Sequence, residues 1–338
     1  MYDRNYTDLE NTIWHTGKCA CCGACVAVCP ANSLFFETGE NSTHPMNDGY
    51  CKSERDGVPC GACYEICPRV NERKIETIGN SINIVSASAN FDVEKKQSGG
   101  AVTAILMNAL EQELVDAVIT VAEDPWTLKP MSTIVTSSEA MTKQAGSRYN
   151  WWIPLLSALK EAVITKKYRN IAIVGVPCVV QAISEMRKSE HDLIRPFKDS
   201  IRLMIGLFCT ETFDYEKMVE GKFKKDMGID PWQIKRLDIP GKLEITTEEG
   251  EVHTIPLSEV EDCIRPGCAI CTDLTALDAD ISAGSIGSPK GETTLIVRTP
   301  VGNRFFMSAV DEEKLVISDN VDLNPIEALA NKKAKRRA

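Results

Sequence analysis

The sequence predicts two fold classes in one chain: a small α+β module over residues 1–80, and an α/β domain over residues 81–312. Two observations carry this prediction. Nine of the fourteen cysteines lie before residue 70, and none lies between residues 68 and 177. Beyond residue 88, helical and strand-like patterns alternate along the chain, which is typical of an α/β fold. Residues 313–338 are expected to form a C-terminal tail.

Local patterns predict each element of the α/β part. Apolar residues at helical spacing predict helices over residues 100–113 and 153–164, and short apolar runs predict strands over 117–122, 133–136, 171–176 and 203–208. The last two strands lead into Cys178 and Cys209, and ligand sites gather at the carboxyl ends of such strands. Alternating apolar and polar residues over 234–256 predict a hairpin.

Composition limits the classes of partner. The chain has 38 lysines and arginines against 48 aspartates and glutamates, a formal net charge of −10, so nucleic acid is an unexpected partner. No apolar stretch approaches the roughly twenty residues of a membrane-spanning helix. Many cysteines without an N-terminal secretory segment indicate a reducing, cytoplasmic compartment. The basic run at 332–337 is expected to be a solvated tail.

The first two cysteine runs have the spacing of bacterial ferredoxins. The first is Cys-x2-Cys-x2-Cys-x3-Cys-Pro, in which three close thiolates bind one four-iron cluster and the fourth binds its neighbour. The second run has the same closing half but six additional residues, 54–59, which favour a turn. Crossed ligation assigns one cluster to Cys19, Cys22, Cys25 and Cys67, and the other to Cys51, Cys60, Cys63 and Cys29.

A zinc ribbon is the alternative for these cysteines. It needs only two pairs of thiolates and explains neither the triplet spacing nor the Cys-Pro endings. Cys21 has no place in the cluster assignment and is expected to be a bystander.

A third run, Cys263-x4-Cys268-x2-Cys271, supplies three thiolates, and a four-iron cluster needs a fourth ligand from elsewhere. The candidates are Cys178, Cys209 and the carboxylate of Asp273, and the sequence does not choose among them. A small buried core residue is the alternative interpretation of either distant cysteine.

A glycine-rich segment opens the first predicted helix of the α/β part. Its free N–H groups suit a phosphate, and an ordinary serine-capped helix explains the segment equally well. No Gly-x-Gly-x-x-Gly or Walker A run occurs, so a standard nicotinamide or nucleoside-triphosphate site has no support. The four histidines join no recognisable catalytic arrangement.

Five motifs taken together resemble the coenzyme F420 hydrogenase/dehydrogenase beta-subunit family. They lie at 97–100, 146–149, 174–178, 206–209 and 263–273, in the family's order. The resemblance implies an α/β flavin-binding domain of the F420 hydrogenase beta-subunit type, which holds FAD and a 4Fe-4S cluster. The ferredoxin-like two-cluster module in front of it is similar to the electron-input subunit of the F420-oxidising dehydrogenase of methanogenic and related archaea.

The resemblance also implies an activity. The chain is expected to oxidise reduced coenzyme F420 by flavin-centred hydride transfer, with no catalytic protein residue, and to pass single electrons through three 4Fe-4S clusters. The expected acceptor is a protein complex, such as the membrane-bound F420 dehydrogenase complex, at the inner face of the cell membrane. The implied FAD-binding residues are Ser98, Gly99, Gly100, Ala101, Val102 and Thr103, with Gly146, Ser147, Arg148 and Tyr149 nearby.

Lys143 and Arg148 are implied to receive the anionic tail of coenzyme F420, and a solvated helix face explains them equally well. Other functions stay open: an electron-input subunit of a hydrogenase, formate dehydrogenase, sulfite reductase or glutamate synthase type of enzyme, or a non-enzymatic iron-sulfur relay. The sulfite reductase is less favoured because the chain is too short for its sirohaem domain.

Overall fold

The computed structural model describes residues 4–37, 43–71, 76–93, 95–146, 153–239 and 241–337. The strands are β1 (Leu34–Phe35), β2 (Met46–Asn47), β3 (Asn83–Ala89), β4 (Ala117–Glu123), β5 (Pro130–Val135), β6 (Ile171–Gly175), β7 (Ile201–Leu207), β8 (Ile234–Asp238), β9 (Leu243–Thr247), β10 (Val252–Ile255), β11 (Ile281–Gly284), β12 (Thr293–Val297) and β13 (Leu315–Ser318).

The α-helices are α1 (Tyr6–Leu9), α2 (Ala24–Val28), α3 (Lys52–Arg55), α4 (Ala62–Glu65), α5 (Ala101–Glu111), α6 (Ser138–Lys143), α7 (Ser157–Lys160), α8 (Pro177–Lys188), α9 (Arg195–Ser200), α10 (Pro300–Asp311) and α11 (Leu323–Ala334). Segments of π-helix cover Glu10–Trp14, Glu161–Thr165 and Glu216–Asp226. Segments of 3-10 helix cover Pro231–Gln233, Leu257–Cys263, Pro266–Cys268 and Lys335–Arg337.

An eight-stranded mixed sheet forms the centre of the molecule, in the order β13-β3-β12-β11-β7-β6-β4-β5. The four strands β11, β7, β6 and β4 run parallel, and the remaining pairs are antiparallel. Every residue of β6 is buried, as expected for a parallel strand covered by helices on both faces. The predicted alternation of helices and strands is therefore confirmed.

The N-terminal module contains two copies of one local structure. Helix α2 begins after Gly23 and helix α4 after Gly61, and both glycines have left-handed backbone angles, with φ of +85° and +102°. Each glycine lies within a Cys-Gly-Ala-Cys sequence, so the turn places two thiols on either side of a helix start. The internal repeat seen in the cysteine spacing is thus a repeat of structure.

This module packs directly on the α/β part. The N–H of Leu156 donates to the carbonyl of Cys22 at 2.9 Å, and a Cβ added to Gly23 would lie 2.8 Å from the carbonyl oxygen of Pro154. Buried residues of both parts, such as Val28 and Ile183, belong to one apolar cluster. The short helices of the module therefore gain their stability from this shared core rather than from their own length.

A separate antiparallel sheet, β8-β9-β10, follows the central strands in sequence. It packs with the π-helical segment Glu216–Asp226 around Phe223 and Ile245, both fully buried. The predicted hairpin is confirmed by β9 and β10, to which the structure adds β8 as a third strand. Among the described residues, no helix combines the length and the apolar character needed to cross a bilayer.

The expectation of a solvated basic tail is wrong for Lys333, whereas Lys332, Lys335 and Arg336 are exposed as expected. Residues at the C-terminus form α11, and the side chain of Lys333 on it is only 3% exposed. The physical reason is register: Ile326, Ala330 and Lys333 follow one another on one face of the helix, and that face is buried.

Candidate functional site

Four thiols from both N-terminal cysteine runs line one cavity. These are Cys29, Cys51, Cys60 and Cys63. Burial raises the pKa of the Cys63 thiol, and the neighbouring sulfurs of Cys29, Cys60 and Cys51 raise it further. The structure thus brings together the set that crossed ligation predicts for one cluster.

The other N-terminal set is also assembled from both runs. Burial raises the pKa of Cys22 to about 12, with a further contribution from Cys67, which comes from the second run. The pKa of Cys25 is raised in the same way by burial, then by Cys22 and Cys67, and then by Cys63 of the neighbouring set. Cys19 lies beside them and interacts electrostatically with Cys25. The two sets are therefore adjacent.

A second cavity lies at the carboxyl ends of the central strands. Five cysteines line it: Cys178, Cys209, Cys268 and Cys271 from the α/β part, and Cys19 from the first N-terminal run. Cys178 is the second residue of α8, directly after β6, and Cys209 follows β7 by two residues. Both distant candidates therefore reach the site, as parallel strands that end at one sheet edge predict.

Cys263 does not line this cavity. It ends the 3-10 segment Leu257–Cys263, is fully buried, and packs in the apolar cluster of the three-stranded sheet. Burial and the carboxylate of Asp262 raise its pKa to about 11. Asp273 is not among the lining residues either. Its buried carboxylate accepts hydrogen bonds from Gln181 at 3.2 Å and from the Leu277 N–H.

Among the described residues, no three histidine, cysteine, aspartate or glutamate side chains form a group that could hold a single metal ion. A four-iron cluster makes a different demand, since its four thiolates bind four separate irons. The first cavity, with four cysteines around it, matches that demand, and the second contains four cysteines of the α/β part in addition to Cys19.

Cationic side chains surround the second cavity. Arg69, Arg265 and Lys333 all line it. Burial alone would raise the pKa of Cys271, but the charges of Lys333 and Arg69 outweigh it and the pKa is lowered. Thiolate, the form that binds metal, is therefore favoured at Cys271. None of the three cations is among the site residues that the cysteine spacing predicts, although Arg69 directly follows a Cys-Pro ending and Arg265 lies inside the third run.

Arg69 stands between the first thiol set and the second cavity. Its Nη2 donates to the carbonyl of Gly267 at 3.3 Å. On one side its charge opposes the effect of burial on the pKa of Cys22 and of Cys67, and on the other it interacts with Cys271. One guanidinium is thus shared by two neighbouring groups of sulfurs.

The sulfur of Cys21 makes different contacts from those of the neighbouring cysteines. Its Sγ accepts from Nη2 of Arg265 at 2.9 Å and donates to the carbonyl of Thr43 at 2.8 Å. Its sulfur lines neither cavity. This placement agrees with the interpretation of Cys21 as a bystander.

The glycine-rich segment starts α5 without a side-chain cap. Gly100, with φ of +74°, is the N-cap residue, and Ala101, Val102 and Thr103 form the first turn. The hydroxyl of Ser98 bonds to Oγ1 of Thr293 at 2.8 Å, so the serine-capped interpretation is wrong.

Packing explains part of the glycine content of this segment. A Cβ on Gly99 would lie 2.3 Å from the carbonyl oxygen of Ala87 in β3. Within the described part of the chain, no side chain caps the first turn of α5, which leaves an N-terminus suited to an anion.

Lys143, which is implied to contact the anionic tail, is the last residue of α6. The side chain of Lys143 is 71% exposed and pairs with Glu139 at 3.0 Å on the surface of α6. Gly146 follows this helix with φ of +111°. Ser147, Arg148 and Tyr149 lie outside the described residues. Lys143 therefore lies on a solvated helix face, which is the alternative interpretation of this residue.

The comparisons with known proteins agree with this architecture. Two family models describe the N-terminal and C-terminal parts of the coenzyme F420 hydrogenase/dehydrogenase beta subunit. The first matches residues 84–160 and the second matches residues 168–322. Together the two matches cover more than half of the chain. The chain belongs to the coenzyme F420 hydrogenase/dehydrogenase beta-subunit family.

Relatives of this beta-subunit family extend over nearly the whole chain. An uncharacterized protein of Methanocaldococcus jannaschii is 42% identical over 98% of both chains. One of the subunits of the F420H2 dehydrogenase of Methanosarcina mazei is 30% identical and matches 95% of this chain and 90% of its own length. Both matches therefore include the cysteine-rich N-terminal module.

A solved structure supports the family assignment. The F420-reducing [NiFe] hydrogenase complex from Methanosarcina barkeri contains a chain that matches 79% of this one and 93% of its own length, with 30% identity and a TM-score of 0.72. The protein thus has the mixed α/β fold of that chain. Relatives in the family are named as F420-dependent hydrogenase, dehydrogenase, sulfite reductase and formate dehydrogenase proteins, which makes this protein a member of an F420-linked oxidoreductase family.

Proposed function

We propose that the protein oxidises reduced coenzyme F420 by hydride transfer to FAD and passes the electrons singly, through three 4Fe-4S clusters, to a partner complex. The observation that carries this proposal is the arrangement of twelve cysteines in three adjacent sets of four. Each set has the ligand number of a four-iron cluster.

The proposed ligand sets follow the geometry. The first set is Cys19, Cys22, Cys25 and Cys67, and the second is Cys29, Cys51, Cys60 and Cys63. The third is Cys178, Cys209, Cys268 and Cys271, which leaves out Cys263, and Cys19, which lines the same cavity, is assigned to the first set because it interacts with Cys25. Cys25 of the first set interacts with Cys63 of the second, and Arg69 interacts with thiols of the first and third sets. A chain of clusters in these positions would form a continuous electron path.

FAD is proposed at the start of α5. When bound, it supplies the conversion between a two-electron hydride and single electrons, which iron-sulfur clusters require. The open N-terminus of α5 would hold its phosphates through backbone N–H groups. The protein would contribute the position of the cofactor, because no side chain of residues 98–103 is an acid or base of the kind used in proton transfer.

The acceptor is proposed to be a protein complex on the cytoplasmic side. The relative from Methanosarcina mazei is named as part of an F420H2 dehydrogenase and includes the N-terminal module. This relationship favours a complex of the dehydrogenase kind over a hydrogenase as the partner of the present protein. A non-enzymatic relay is the second candidate, and the flavin requirement separates the two.

The test is an anaerobic assay of the isolated protein with reduced coenzyme F420 and a viologen acceptor, with NADH as the comparison donor. We expect viologen reduction with reduced F420, dependence on added FAD, and none with NADH. Bound flavin without F420-dependent turnover would contradict the substrate, and absence of flavin together with intact clusters would favour the relay.

A further inference from the structure

A buried cation from the C-terminal helix faces the third set of thiols. Nζ of Lys333 donates to the carbonyl of Cys209 and, at 2.7 Å, to the carbonyl of Asp273. The same side chain lines the cavity with Cys178, Cys268 and Cys271. Both hydrogen-bond acceptors are neutral, so they satisfy the ammonium geometrically but do not balance its charge.

No ion pair balances this charge within the described part of the chain. The groups that interact with Lys333 most strongly are the sulfurs of Cys209 and Cys271, followed by Asp273. Burial of an unpaired ammonium is costly, whereas burial against negative charge is tolerated. The placement of Lys333 therefore fits a site that carries net negative charge.

Contacts along α11 keep Lys333 in this position. Asp322 caps α11 by accepting from the Asn324 N–H, and the buried face of the helix presents Ile326 and Ala330 before Lys333. Arg336 then bonds to the carbonyl of Thr210 at 2.9 Å and pairs with Glu211. The lysine is therefore fixed rather than a mobile surface residue.

Helix α11 follows the residues that the family models match. The family model for the C-terminal part ends at residue 322, and α11 begins at Leu323.

We propose that Lys333 is a positioning residue that raises the reduction potential of the third cluster, by placing a buried positive charge beside its four thiolate ligands. This inference rests on the proposed third cluster. A four-iron cluster with four thiolates is anionic and gains one further negative charge on reduction, so a fixed cation favours the reduced state. The effect would make this cluster a better acceptor of electrons from the flavin.

The experiment is an anaerobic redox titration of the full chain, with dithionite as the reductant, followed by electron paramagnetic resonance and iron analysis. Lys333→Met removes the charge, Lys333→Arg keeps it, and Lys332→Met is the matched control because Lys332 is an exposed neighbour on the same helix. Cys209→Ser, which lacks a ligand of the third set, identifies the signal of the third cluster.

We expect Lys333→Met to lower the midpoint of the third cluster alone, with unchanged iron content, while Lys333→Arg and Lys332→Met titrate like wild type. An unchanged midpoint in Lys333→Met, or an equal shift in Lys333→Arg, would overturn the inference. If Lys333→Met loses the cluster, Lys333→Gln replaces it, and loss in both neutral variants would show a structural role and overturn the inference. A wild-type protein without a third signal would instead refute the proposed function.

Discussion

The backbone of Cys19 lies directly against Gly267: a Cβ added to this glycine would lie 2.1 Å from the Cys19 carbonyl oxygen. Cys19 belongs to the first thiol set, and Gly267 precedes Cys268 of the third. Only a residue without a side chain allows this approach. The glycine therefore permits the short distance between the backbone of the first cysteine run and the backbone of the third run.

This contact predicts that Gly267→Ala destabilises the protein by about 1–3 kcal/mol, because the added methyl group must displace backbone rather than a flexible side chain. Gly221→Ala is the control, since its added Cβ would meet only the Glu216 carbonyl at 3.7 Å. Anaerobic thermal unfolding measures both. Equal melting temperatures for the two variants would show that the approach of Cys19 to Gly267 is not constrained.

The third ligand set predicts a clear division among cysteine variants. Cys178→Ser and Cys209→Ser should each lower the iron content by about four irons per chain, since one cluster loses a ligand. Cys263→Ser should keep its iron, because Cys263 packs in the three-stranded sheet. Iron analysis of the anaerobically purified variants measures these differences. Loss of iron in Cys263→Ser with retention in Cys209→Ser would reverse the assignment.

Cys21 and Cys22 are adjacent in sequence and should behave oppositely. Cys21→Ser should retain full iron, because its sulfur is engaged by Arg265 and the Thr43 carbonyl, and a hydroxyl can make the same contacts. Cys22→Ser should lose about four irons as a ligand of the first set. The same iron analysis applies, and a loss of four irons in Cys21→Ser would make Cys21 a ligand.

Arg298 ties the segment after the cysteine module to the sheet. It donates to the carbonyls of Ile78 at 2.7 Å and Asn80 at 3.0 Å, and to the hydroxyl of Ser282 at 2.7 Å. Burial lowers its pKa to about 10.

Replacement of Arg298 by methionine leaves buried acceptors without donors, so Arg298→Met should cost about 2–4 kcal/mol of unfolding free energy. Arg304→Met, at an exposed position of α10, should change it by no more than about 0.5 kcal/mol. Denaturant unfolding compares them, and a cost at position 298 as small as at 304 would refute the role.

Spacing within a short segment was sufficient for part of this architecture. The Cys-Gly-Ala-Cys repeats determine their own turns through Gly23 and Gly61, so the N-terminal sets could be predicted from local geometry. Cys178 and Cys209 could be anticipated because parallel strands deliver the residues at their carboxyl ends to one edge. Both predictions depend only on the turn or strand that directly adjoins each cysteine in the sequence.

Other features depend on packing between distant segments. Cys263 looks like part of a ligand run, but it packs in the core of the β8-β9-β10 sheet, and nothing within the run reveals this. Lys333 belongs to a basic run that resembles a solvated tail, and its burial depends on where α11 docks. The four-residue spacing of Ile326 and Ala330 was the available signal for that docking face.

The central claim is that twelve cysteines hold three four-iron clusters in series. The most direct measurement is anaerobic purification of the full chain, followed by iron, zinc and flavin quantitation and by spin counting after reduction. Three such clusters and a bound flavin should give about twelve irons and one flavin per chain, with three interacting paramagnetic clusters. Zinc in place of iron, or an iron content that fills only the two N-terminal sets, would contradict it.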